Sequence, residues 1–125
     1  MMLINKNLVF GPYQTYILIN NFLFVSGQIA INIDTNQFIF DNIEKETDQI
    51  MKNLEMILSN VNMNFNNVVK TSLFIKNMNN LPKINVIYSK YFINYNYPAR
   101  ETIEVSQLPK NANIEISLIA CKYKK

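Results

Sequence analysis

Asn113-Ile114-Glu115-Ile116-Ser117-Leu118-Ile119-Ala120-Cys121 is the stretch whose reading decides the fold. Successive strand residues point to opposite faces. Ile114, Ile116 and Leu118 therefore share one face, and Glu115, Ser117 and Ile119 share the other. The first set suits a covered, dry side. The second, mixing a carboxylate, a hydroxyl and an isoleucine, suits a subunit interface that holds a polar site better than it suits a core.

Outward from this strand the chain alternates helical and extended patterns. Leu108 to Asn111 reads as a turn, and Pro98 restarts the chain as a strand from about Arg100 to Val105. Before it, Asn79 or Asn80 can cap a helix whose first turn takes Pro82 and whose apolar stripe is Ile84, Ile87, Tyr88, Tyr91 and Phe92. Val68 to Ile75 reads as a buried strand. Asp41 or Asn42 can cap a helix to about Asn60, with Ile43, Ile50, Leu54, Ile57, Leu58 and Val61 on one face and Glu44, Lys45, Lys52 and Glu55 on the wet side. Tyr16 to Ile19 and Phe22 to Gln28 form a hairpin across Asn20-Asn21, since Asn tolerates left-handed backbone geometry. The order is β-β-α-β-α-β-β. Two long amphipathic helices covering one face of a mixed sheet give an α+β layer fold, expected as a single domain over residues 1–125.

Composition removes whole classes of chemistry. The chain has no His and one Cys, Cys121, so Ser-His and Cys-His nucleophiles, an intrachain disulfide and ordinary zinc ligation are excluded. Gly11 and Gly27 are the only glycines, and no phosphate-binding loop exists. No run approaches the ~18 apolar residues of a membrane span, and the N-terminus lacks the pattern of a secretory signal, so a cytosolic protein is expected. The net charge of +3 is spread along the chain, dense only in the tail Lys122-Tyr123-Lys124-Lys125, which reads as a solvated end. That distribution argues against a nucleic-acid partner, which calls for charge gathered on one face.

Arg100 is the only arginine among twelve Lys plus Arg. Arg differs from Lys where a planar fork must grip a carboxylate with two parallel hydrogen bonds. A lone Arg is thus a candidate for such a grip, and equally for a structural ion pair with Glu101. Glu115 is either simply exposed or holds a water in a polar site. Gly27, in Val25-Ser26-Gly27-Gln28, marks a packing bulge or a close approach, with Ser26 beside it facing solvent or ligand. Tyr13 covers a pocket or just packs. Asn85, one position off the apolar stripe, meets a ligand or caps backbone. Cys121 reads as a small buried hydrophobe, and Lys70 as exposed.

These pieces collect into a pattern. Pro98-Ala99-Arg100, Glu104-Val105, Leu108-Pro109 and Ile114-Glu115-Ile116 resemble the C-terminal signature of the reactive-intermediate deaminase (RidA, RutC-type) family. Val25-Ser26-Gly27-Gln28-Ile29 resembles its early strand and Gly11-Pro12-Tyr13 its N-terminal turn; Val68-Val69-Lys70-Thr71 and Asn85-Val86-Ile87-Tyr88 match in type and order. The resemblance implies a chorismate-mutase-like fold and a homotrimer with active sites in clefts between subunits. It implies hydrolysis of reactive enamine or imine acids, such as 2-aminoacrylate and 2-aminocrotonate, to 2-oxo acids and ammonia, with no cofactor and no metal. Carried over by position, Arg100 would hold the substrate carboxylate and Glu115 would position or activate water. Tyr13, Ser26, Gly27 and Asn85 would line the cleft, and Thr102 would approach the ligand through its backbone.

Four departures stand out. Thr102 occupies a position where many deaminating members carry Cys, Glu101 follows Arg100 where a small residue is common, the stretch from Asn85 to Arg100 is shorter than usual, and Val61-Asn62 replaces the Gly usual after the first helix. Two other readings remain beside the deaminase: a non-catalytic trimer that binds small carboxylates as a regulator, and an RNA-directed activity, against which the scattered lysines argue.

Overall fold

The computed structural model describes residues 11–124. The N-terminal stretch read for a leader signal and Lys125 of the basic tail lie outside the described residues. Strands β1 (Tyr16–Ile19), β2 (Phe22–Gln28), β3 (Val68–Ile75), β4 (Ala99–Glu104) and β5 (Ile114–Cys121) form one sheet in the order β1-β2-β5-β3-β4. β3 and β4 are parallel and the remaining neighbours antiparallel, so the sheet is mixed. Helices α1 (Ile43–Asn60) and α2 (Leu81–Ser89) pack on one face. The element order and the α+β layering expected from the sequence are both present.

β5 lies in the middle of the sheet, and its burial alternates as the sequence pattern requires. Ile114, Ile116, Leu118 and Ala120 are buried, and Glu115, Ser117, Ile119 and Cys121 only partly so. The helix-covered face carries the core: Leu23 and Val25 from β2, Leu73 and Ile75 from β3, and Ile50, Leu54, Ile57 and Leu58 from α1. The opposite face is bare, leaving Ile17, Ile19, Phe22, Phe24 and Ile103 exposed. Cys121 belongs to this half-buried row (Phe22 is its partner across the strands) and not to the core.

α1 starts where Asn42 Oδ1 accepts the Lys45 N–H at 2.8 Å, one of the two expected caps. α2 departs from expectation. Asn80 precedes it without a side-chain cap, while Asn77 caps the 3-10 turn Met78–Asn80 just before it. The helix is also short, nine residues against eighteen in α1. Pro98 requires an extended residue before it, so the chain must unwind first, and Asn94 and Tyr95 turn it at left-handed φ values of 53° and 60°. Tyr91 and Phe92 thus lie past the helix, yet both still pack on Phe65.

Asn performs the left-handed work that Gly usually does. Asn20 in the hairpin has φ 53° and Asn62 after α1 has φ 60°, whereas neither glycine has a positive φ. The missing Gly after the first helix is therefore replaced in function by Asn62. In the tail, Lys122 and Tyr123 are exposed as expected, but Lys124 is half-buried: its Nζ donates to the Val68 carbonyl at 2.7 Å, and Asn67 Nδ2 donates to carbonyls of Cys121, Lys122 and Lys124.

Candidate active site in two halves

β4 is an edge strand, and alternation sends Arg100 and Thr102 to the helix-covered side. There the Arg100 guanidinium lies over the Tyr88 ring, 5.1 Å from its centroid, and Nη1 donates to Asn85 Oδ1 at 2.9 Å. Asn85 and Tyr88 are three apart on α2 and so share a helix face. The side chain is exposed but not adrift. With Asn85, Tyr88, Ser89, Tyr97 and Pro98 it lines a cavity of about 310 Å³. Burial pushes the Tyr88 hydroxyl above its usual pKa, opposed by its bond to Thr71 and by the nearby guanidinium. Thr102 shares the face of Arg100 without forming a wall of this cavity.

Glu101 does not compete for the guanidinium. It points to the bare face, accepts a hydrogen bond from Ser72 Oγ at 3.1 Å and pairs with Lys70 at 3.4 Å. The alternative of an Arg100–Glu101 ion pair is thereby removed, and Lys70 is half-buried and paired.

Glu115 leaves β5 on the bare face and enters a small recess with Tyr13, Gly27, Gln28, Ile29 and Pro109. Gly27 explains how it fits. A Cβ built on Gly27 would collide with Glu115 Oε2 and meet its Cδ at 2.5 Å. The register shift between Val25 and Gln28 brings that bare backbone against β5. The carboxylate is half-buried, and burial raises its pKa above the ordinary 4.5. Among the described residues no side chain pairs with it. Ser26 donates its hydroxyl to the Gln14 carbonyl at 2.6 Å, which ties the Tyr13 segment to β2.

The seven residues singled out from the sequence thus fall into two groups: Asn85, Arg100 and Thr102 on one side of the sheet, Tyr13, Ser26, Gly27 and Glu115 towards the other. Arg100 pairs with Thr71 and Glu115 with Phe74 on the strand between them, a difference of three residues (74 − 71). Two strand spacings and three residue rises separate their backbones by roughly 14 Å. Within one chain they cannot touch the same small molecule. Sequence reading missed Tyr88, Ser89, Tyr97 and Pro98 as cavity walls. The signal was available for Tyr88, three residues after Asn85, but its place in an apolar stripe made it look like core alone.

Comparison with known proteins agrees with the fold. The family described as Endoribonuclease L-PSP matches residues 4–122. A RutC family protein of Buchnera aphidicola is 47% identical over 116 residues, 91% of this chain and 89% of its own. The chloroplastic Reactive Intermediate Deaminase A of Arabidopsis thaliana is 38% identical, covering 88% of this chain and 58% of its own length. A crystal structure of a Rid-family protein of unknown function from Yersinia pestis superposes with a TM-score of 0.88 at 41% identity, covering 96% of this chain and 98% of that one. The chain belongs to the RutC/RidA family, the same family that carries the Endoribonuclease L-PSP description.

Proposed function

We propose that this protein is a hydrolytic deaminase of small reactive enamine and imine acids, acting in the cytosol as a homotrimer of single-domain chains with one site at each subunit boundary. Arg100 of one copy grips the substrate carboxylate, and Glu115 of its neighbour handles the attacking water. The observation that carries this reading is the state of the lone guanidinium. It is held from one side by Asn85 and from below by Tyr88, at the rim of a cavity, with its other N–H donors free of described carboxylates.

The chemistry asks little of the protein. An enamine acid takes a proton at carbon to become the imine. Water adds to the C=N carbon, the C–N bond of the resulting carbinolamine breaks, and a 2-oxo acid and ammonia leave. The imine carbon is already electrophilic, so orientation and one water-handling carboxylate suffice, and no nucleophile is needed. Glu115 fits the second role because burial brings its pKa closer to neutrality, where a general base works best. Tyr13 and Gly27 shape the wall beside it, Ser26 serves the site by tying the Tyr13 segment to β2, and Thr102 offers backbone beside Arg100. Three lysines are already engaged, which weakens an RNA-directed reading: Lys45, Lys52 and Lys70 pair with Asp41, Asp48 and Glu101.

Coupling the protein to a threonine dehydratase and following decay of the intermediate tests the proposal. Wild type is expected to accelerate decay. Arg100→Ala should lose about 2–5 kcal/mol of transition-state binding, roughly 30- to 5,000-fold in kcat/KM, and Glu115→Gln should slow kcat. If wild type matches buffer while 2-oxobutanoate still binds, the protein is a carboxylate-binding regulator instead.

A further inference from the structure

We propose that Tyr88 is the positioning residue for the carboxylate anchor: its ring, pinned at the hydroxyl by Thr71, is the platform that holds the Arg100 guanidinium in its gripping pose. The inference rests on the reading of Arg100 given above and adds to it the reason that an exposed arginine stays in place.

Tyr88 is 4% exposed although it lines the cavity. Its hydroxyl lies 2.7 Å from Thr71 Oγ1, itself 1% exposed. Thr71 is the β3 residue directly across from Arg100 in the parallel ladder. The same residue pair that registers β3 against β4 therefore also fixes the ring that supports the arginine. Phe92 packs against the Tyr88 ring from another direction, with centroids 4.9 Å apart, and limits its tilt. The guanidinium carbon then sits 5.1 Å above the ring centroid, within cation–π range. Asn85, one helical turn back, fixes rotation by accepting from Nη1.

A long side chain on an edge strand would otherwise sample many rotamers, and ordering it on binding would weaken the grip. A platform that orders it beforehand improves affinity without touching the ligand. A π face does this for a cation, whereas an apolar side chain of similar volume does not.

The test uses the fact that Arg100 is the only arginine. The ¹⁵N–¹H spectrum contains one arginine Nε–H signal, which reports the platform without substrate. Wild type should show this signal displaced by the Tyr88 ring current. Tyr88→Phe, which keeps the π face but loses the Thr71 bond, should keep a reduced displacement, and Tyr88→Met should lose it. Enzyme kinetics and 2-oxobutanoate binding supply a second readout. Tyr88→Met should raise KM and the product Kd about 3- to 30-fold with little change in kcat, and Tyr88→Phe should restore most of that loss. In an Arg100→Ala background, Tyr88→Met should change binding by less than about 2-fold, because the residue acts through Arg100. An undisplaced wild-type Nε–H signal overturns the proposal even if Tyr88→Met fails to fold. So does a Tyr88→Met effect of equal size with and without Arg100. Absence of imine hydrolysis with a displaced signal and a coupled cycle would sink the deaminase reading and leave the platform standing.

Discussion

A single missing methyl group determines where the Glu115 carboxylate rests. Gly27 leaves room that any Cβ would fill, and the atoms it would meet are Oε2, Cδ and Cγ of the Glu115 side chain rather than backbone. Gly27→Ala should therefore leave the fold nearly as stable, within about 1 kcal/mol, while turning the carboxylate away and lowering kcat about 10- to 100-fold. A thermal melt alongside the coupled assay checks both halves of that expectation. The raised pKa of Glu115 has two further consequences. A base that must be ionised loses activity as pH falls through its pKa, so the acid limb of kcat/KM should lie above the ordinary carboxylate range and vanish in Glu115→Gln. For stability, below pH 4.5 the group is protonated both folded and unfolded. As pH rises from 4.5 through the raised folded value, ionising the buried carboxyl costs stability. Glu115→Gln should accordingly melt higher than wild type at pH 7 and no higher below pH 4.5. The sequence made Glu115 visible because a charge interrupts an apolar alternation. It could not show that Gly27 exists for Glu115, since that depends on how β2 and β5 pair.

Between elements, the core is tied together by polar side chains that the apolar pattern does not reveal. Glu46 on α1 is buried, with Oε2 accepting the Asn113 N–H and Oε1 accepting from Asn113 Nδ2, both at 2.8 Å. This clamp sits two residues before Glu115 and fixes the start of β5. Asn53, equally buried, donates to the Ile29 and Ile31 carbonyls and holds the chain just past β2. Glu46→Ala should lose about 1.5–3 kcal/mol, because it removes two hydrogen bonds to a charged group and leaves the half-buried Asn113 N–H without its partner. A urea melt with an unchanged m-value would report it, and a loss below about 1 kcal/mol would contradict the clamp. The inner strands β2, β3 and β5 and helix α1 were legible in the sequence because their burial follows periods of two and 3.6, whereas the edge strands β1 and β4, nearly all exposed, were read from residue type, Asn20-Asn21 and Pro98. The end of α2 was not legible, because Tyr91 and Phe92 continue the apolar stripe after the backbone has left the helix. Buried Glu46 and Asn53 were hidden for the opposite reason: polar residue types are usually read as wet.

Across the whole molecule, the sheet has one covered face and one bare face, and the proposed machinery is divided between them. Arg100 sits over the helix side of an edge strand, and Glu115 leaves a central strand on the opposite face, the one that further along exposes Phe22, Phe24, Ile17 and Ile19. A bare apolar sheet face of this kind suits burial against another copy of the chain. The alternation in β5 already separated the dry side from the mixed one, but only the strand order revealed that Arg100 and Glu115 cannot meet within a chain. The most direct test mixes two impaired proteins, Arg100→Ala and Glu115→Gln, under conditions that exchange subunits. If each site takes Arg100 from one chain and Glu115 from its neighbour, equal mixing should restore about a quarter of wild-type activity, the share of boundaries that receive both intact residues. Activity that stays at the level of the separate variants after verified exchange would contradict the account.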